Sequence, residues 1–278
     1  MFSIDLKSIT LSILVSIAWY FGAIELFNVF TDFGNNWYWY VLAVLYTVTI
    51  NELFAHLICT HNLFPVNTNR WTYKILAFLV SVDHGYGLRD LVRTHQSHHI
   101  YPDQGDRDIY NFKRHWNTVC SMSPLMFLYQ KKTNYPNPEK YLDKQDRIHK
   151  NILNDDWTFF CEEYRIPLTL IYWIVLYLFL PVMLFKVVFM GRIIISIMNI
   201  LLTTMCHTRT FGYRNFNLQN DSSNNLFLHY VVGLGMSSSL LHNNHHSKFW
   251  LKAETHSNKW YEIDVGSYII KLLKVGLR

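Results

Sequence analysis

Four apolar stretches limit what this chain can fold into. A helix that crosses a bilayer needs roughly 20 mostly apolar residues. Residues 9–30 form one such stretch, with Glu25 as its only charge. Residues 37–55 form a second, opening on Trp37, Tyr38, Trp39 and Tyr40, an aromatic run suited to a membrane interface. A third covers 166–185, with Pro181 near its end, and a fourth covers 187–206. Composition agrees: 16% of the residues are charged, against about 25% in soluble domains, and half are hydrophobic. The expected fold is therefore all-α and integral to a membrane, one domain over residues 1–278 with four transmembrane helices. No basic segment with a short apolar core and a small-residue cleavage site opens the chain, so its first apolar stretch reads as a retained span.

Two pairs of spans leave the N-terminus, the segment 56–165 and the tail 207–278 on one side. That side carries most of the basic residues, among them Arg70, Lys74, Arg89, Arg93, Arg107, Lys113 and Arg114. The short connections opposite offer Lys186, with Arg192 nearby. The positive-inside rule makes the basic side cytoplasmic, with both termini there. Residues 75–92 begin apolar but turn polar at Asp83, and read as one helix at the interface. Residues 227–241 are too short and too rich in Gly and Ser for a span. Residues 131–156 are polar and read as a surface excursion. The net charge of +5 suits an anionic bilayer surface. No basic run interleaved with polar sequence occurs, so nucleic acid is not an expected partner. The four cysteines form no CxxC pair and are expected as reduced thiols.

Nine of the fourteen histidines form a pattern. His56 and His61 follow the second span. His95, His98 and His99 form HQSHH. His207 closes the fourth span, and His242, His245 and His246 form HNNHH. All nine fall on the side inferred to be cytoplasmic. On a helix, positions i, i+3 and i+4 share one face, so HxxHH aims three imidazoles at one point. One such motif arises by chance in about a few per cent of chains of this histidine content, and two together in fewer than roughly one in a thousand. Nine imidazoles exceed what one ion takes, and point to a pair of metal ions. Spacing alone leaves Fe, Zn, Cu and Ni open. His84, His115, His149, His229 and His256 stand apart, and read as surface, hydrogen-bonded or supporting residues. Replacing His149 is expected to change little. Asp83, Asp90, Asp103, Asp106 and Asp108 lie near the clusters, and either accept a ligand's second N–H or form a solvated acidic loop.

The strings around these histidines resemble the membrane fatty-acid desaturases of the stearoyl-CoA or Δ9 acyl-lipid type. The spacing HX4H, HX2HH, HX2HH is theirs. THNLF (60–64) is similar to THRSF, and VRTHQSHH (92–99) to VRDHRxHH. FGYRNF (211–216) with NDSSNN (220–225) resembles the segment after the family's lone histidine. HNNHH is a third box common in bacterial members, and WYEIDVGSYIIKLLKVGL (260–277) resembles the family's tail. The likeness runs from the end of the second span to the C-terminus. The chain departs from the family at Phe54–Ala55, which replace Gly-Tyr or Ala before the first box. Thr203 stands where many members carry Asn. Thr208 to Thr210 add residues after His207, and Ser237 to Leu241 replace a Gly-Glu-Gly run.

The resemblance implies two iron ions held by all nine histidines, with O2 as co-substrate. It implies a cis double bond placed in an acyl-CoA or acyl-lipid chain. No HPGG haem motif of cytochrome b5 occurs, so electrons would come from a separate ferredoxin or cytochrome b5. The basic face fits such a donor or a lipid surface. A related hydroxylase, acetylenase or sphingolipid desaturase would use the same boxes. A membrane metal-binding or transport protein is the non-enzymatic alternative. Against it, the spans carry few acidic residues, with Glu25 and Glu52 in the first two and none in the last two.

Overall fold

The structure, a computed structural model, describes residues 36–84, 87–104, 108, 111, 149–208, 210–227, 239–248 and 257–276, and not the side chains of His84 or 196–204. Among these residues every regular element is helical. The order is α1 (Tyr38–Thr47), a π-helical segment (Val48–Thr60), α2 (Trp71–His84), α3 (Leu88–Ile100), α4 (Asp156–Glu163), α5 (Arg165–Phe179), α6 (Val182–Thr204), a 3₁₀ turn (Met205–His207), α7 (His242–Lys248) and α8 (Val265–Gly276). The first expected span, residues 9–30, lies outside the described residues.

Among the described residues, one helix is long and apolar enough to cross a membrane, the continuous run Tyr38–Thr60. It extends past the boundary at residue 55 read from hydropathy: at Val48 the helix changes to π geometry and continues to Thr60. The expected third and fourth spans shift for a local reason. Pro181 disfavours helix in the residue before it. Leu180 is accordingly extended, α5 stops at Phe179, and α6 starts at Val182 rather than Val187. α5, with 15 residues, reaches about 22 Å, short of the roughly 30 Å of a hydrocarbon core. The single interfacial helix expected over 75–92 is instead two, α2 and α3, with Gly87 as the N-cap of α3. Asp155 caps α4 by accepting from the Thr158 amide at 2.8 Å.

α1 lies close against α6. A Cβ on Gly191 would sit 2.8 Å from the Tyr46 ring. The Thr47 hydroxyl is 2.8 Å from the Ala43 carbonyl and 3.1 Å from that of Gly191. Small residues at such a crossing let the backbones approach. A buried core lies behind the second half of the long helix. Phe54, Ala55 and Cys59 pack on Tyr73, Ala77 and Val80 of α2, on Leu88 and Val92 of α3, and on Ile152 and Leu153. Each Leu, Ile, Val and Phe of this cluster, fully buried, contributes about 1.5–3 kcal/mol. This cluster fixes the π segment against α3, and both elements carry histidine boxes. α8 packs Ile270 on Leu57 and Leu63 from another side. Cys59, Cys161 and Cys206 are free and buried, and Cys120 lies outside the described residues.

Candidate metal centre

The HX4H spacing finds its reason in the π segment. A π-helix bonds residues five apart, so such residues stack along one side. The His61 amide donates to the His56 carbonyl at 3.0 Å, and both rings face the same point. Their Nε2 atoms are 3.1 Å apart. In α3, Leu88 and Val92 are buried in the core, while His95, His98 and His99 occupy the last turn and a half. The C-terminal end of a helix dipole favours a cation there. His207 ends the 3₁₀ turn after α6, and α7 presents His242, His245 and His246.

Eight of the nine histidines fall into two groups. In each, the ligand atoms lie within 4.8 Å of one another: His56, His61, His95 and His245; and His98, His207, His242 and His246. In the first group His56 Nε2 is 3.2 Å from His95 Nε2 and 3.3 Å from His245 Nε2. In the second, His207 Nε2 is 2.8 Å from His242 Nε2. His99 lies between the groups. Its Nε2 is 2.9 Å from His95 Nε2, and its ring centroid is 4.6 Å from that of His245 and 4.5 Å from that of His246. The four rings of the second group are buried.

The rings' other nitrogens show what the arrangement suits. His98 Nδ1 lies 2.9 Å from Asp108 and His246 Nδ1 2.8 Å from Asp221. His207 Nδ1 is 3.3 Å from Asp103, and His242 Nδ1 is 3.2 Å from the Ser239 carbonyl. In the first group, His56 Nδ1 is 3.3 Å from both Glu52 and the Ser239 hydroxyl. An acceptor at Nδ1 places the proton there and leaves Nε2 as a bare lone pair. In His56, His98, His242 and His246 the Nε2 atom is then an acceptor with no proton to share with the rings it faces. His246 Nε2 is buried and has no hydrogen-bond partner. Nitrogens held about 2.0–2.1 Å from a common ion lie about 3.0–3.4 Å apart. The separations of 3.1–3.3 Å in the first group fit that spacing, and the 2.8 Å between His207 and His242 is slightly shorter. Each group could hold a metal ion.

Electrostatics favour neutral ligands. Burial pushes His95, His99 and His242 well below the ordinary imidazole range, and neighbouring imidazoles push the same way. Burial also takes His246 down to about 4, against the upward pull of Asp221. His98 is the exception, since Asp108 outweighs burial and raises it. The carboxylates are held charged. Asp103 is lowered to about 2 and Asp221 further still, because their imidazole and Ser contacts outweigh the burial that opposes them.

Of the acidic residues expected near the clusters, Asp103 and Asp108 reach His207 and His98. Asp83 instead accepts from the Tyr46 hydroxyl, which lies 3.3 Å from that of Tyr172. Asp90 faces Glu162. Asp106, His115, His229 and His256 lie outside the described residues, as does the side chain of His84. The sequence reading missed Glu52, Asp221 and Ser239 as supports. Glu52 was legible, four residues before His56 on the same helix. Asp221 stands in the NDSSNN string and could have been found there. His149, expected to matter little, is buried against Gln96 and Thr60.

The asparagines inside HNNHH are structural. The Asn243 side-chain oxygen accepts from the amides of Asn215 and Phe216 at 2.9 and 2.8 Å. Asn244 bonds Asn215, Asn225 and Glu262. The FGYRNF loop is thereby tied to the third box. Compared with known protein families and with characterised proteins, the chain finds no match.

Proposed function

We propose that this protein is an O2-dependent fatty-acyl desaturase that places a cis double bond, Δ9-like, in an acyl-CoA or acyl-lipid chain. The observation that carries the reading is the convergence of three histidine boxes and the lone His207 on two adjacent four-imidazole groups, with His99 between them. Iron is the metal that suits the reaction. Bound there, a pair of irons supplies the O2 and one-electron chemistry that breaking an unactivated C–H bond needs and no side chain provides. The chain's own residues do the rest. Asp103, Asp108 and Asp221 orient three rings, Glu52 and Ser239 orient a fourth, and burial of the second group keeps water out. Two electrons come from a separate carrier, a ferredoxin or cytochrome b5.

A membrane setting supports the same reading. The first group hangs on the end of the Tyr38–Thr60 helix, so the metals lie where an apolar chain would leave the bilayer. On α5, Leu170, Ile171, Ile174, Tyr177, Leu178 and Phe179 are all exposed. A helix with so much apolar surface outward suits lipid as its solvent. In this reading the Tyr38–Thr60 helix and the other apolar segments anchor a cytoplasmic cap formed by 56–165 and 207–278, with both termini cytoplasmic.

Gas chromatography–mass spectrometry of lipids from cells with and without the protein tests the proposal. A new cis-monoenoic acyl chain is the expected result. A hydroxylated chain would move the assignment to a hydroxylase. Unchanged lipids in cells supplied with iron and both kinds of electron donor would overturn it.

A further inference from the structure

Among the described side chains, His149 is the one buried histidine outside the nine that cluster. Its Nδ1 lies 2.8 Å from the Gln96 carboxamide nitrogen, and its Nε2 lies 3.0 Å from the Thr60 carbonyl. One neutral tautomer satisfies both contacts. The proton on Nε2 is donated to Thr60, and Nδ1 accepts from Gln96. Thr60 directly precedes His61, and Gln96 directly follows His95. The Thr60 hydroxyl also donates to the Ala55 carbonyl at 2.7 Å, one residue before His56. Gln96 and Thr60 are 1% exposed and His149 4%, so water does not compete for these bonds. Ile152 and Leu153, one turn on from His149, are seated in the core behind both boxes.

We infer that His149 is a positioning residue for the first metal group, the crosslink that sets the HX4H segment against HQSHH. This rests on the proposed metal centre and deepens it. The bond pair fixes the 3.1 Å separation of the His61 and His95 Nε2 atoms. The second group is braced otherwise, by Asp103, Asp108, Asp221 and the Ser239 carbonyl. Loss of His149 should therefore loosen one ion and spare the other.

The test is metal titration of the intact protein in lipid nanodiscs, with Fe2+ and with Co2+ as a spectroscopic probe. Wild type is expected to bind two ions per chain. His149→Ala should weaken one of them about 10–100-fold, the usual cost of losing a supporting contact, and leave the other unchanged. His149→Gln keeps a donor and an acceptor and should restore much of the loss. His149→Phe fills the space without either group and should not. If the Ala variant fails to fold, the Gln and Phe pair carries the comparison. Phe binding as well as Gln, or both ions weakening equally in a folded variant, overturns the role of His149. A wild-type chain that binds no metal overturns the metal centre itself, and the role of His149 with it.

Discussion

In the second group the two ring nitrogens of each histidine have separate tasks. In His98, His242 and His246 Nδ1 is given to an acceptor, in His207 it lies 3.3 Å from Asp103, and Nε2 is turned to the point where a metal could sit. Asp221 shows how much one carboxylate does. It accepts from the Ser223 amide at 2.6 Å and braces His246 at 2.8 Å. Asp221→Asn keeps the shape but removes the charge that polarises the ring. It should lower metal affinity about 10–100-fold, read by competition with a chelator. On the proposed function, His98→Ala removes a ligand outright. It should abolish product while the protein stays in the membrane, and a fully active variant would strike His98 from the ligand set. The sequence displayed the clustering histidines plainly, since their spacing is their geometry. It displayed their supports unevenly. Asp103 and Asp108 lie within ten residues of HQSHH, whereas His149 reaches Gln96 and Thr60 across 53 and 89 positions. Nothing local marks such a contact.

At the scale of elements, the chain places its boxes where a helix ends or changes pitch. The π segment turns HX4H into a pair of rings facing one way, and the ends of α3 and α6 bring two further sets to them. Hydropathy located the apolar segments but not these changes, because a π segment and an α-helix have the same apolar content. Pro181 was legible as a feature of the third stretch, yet its effect was to move two boundaries rather than bend one span. The loop after His207 depends on Gly212, whose φ is +81° and where a Cβ would fall on the Asn225 carbonyl. Gly212→Ala should cost at least about 1–3 kcal/mol, from left-handed strain and lost pairing of Tyr213 with Asn225. A shift in the denaturation midpoint measures it, and an unchanged midpoint would show that the loop is not held as described.

Over the described part of the molecule, a helical frame keeps most of the clustered imidazoles neutral. Unfolded histidines titrate near 6.5, about the usual value. His95, His99 and His242 are depressed in the fold, and His246 is lowered to about 4. Between those values the unfolded chain binds more protons, so stability present above about pH 6.5 is lost as pH falls toward 4. Asp103 and Asp221 add stability present above about 3.8 and lost below it. His98, being raised, runs the other way, but it is one ring against four. The melting temperature of metal-free protein should therefore fall from pH 7 to pH 5, and a rise would contradict the burial of neutral rings. Composition made the all-α class legible. The arrangement of the helices depends on contacts between distant segments, which no periodicity records.

The most direct measurement is metal content of the purified full-length protein by mass spectrometry, with His95→Ala and His207→Ala beside it. The account predicts two ions per wild-type chain, and about one in each variant, because each removes a ligand from a different group. A wild-type value of one or none, or two ions retained in both variants, would contradict it.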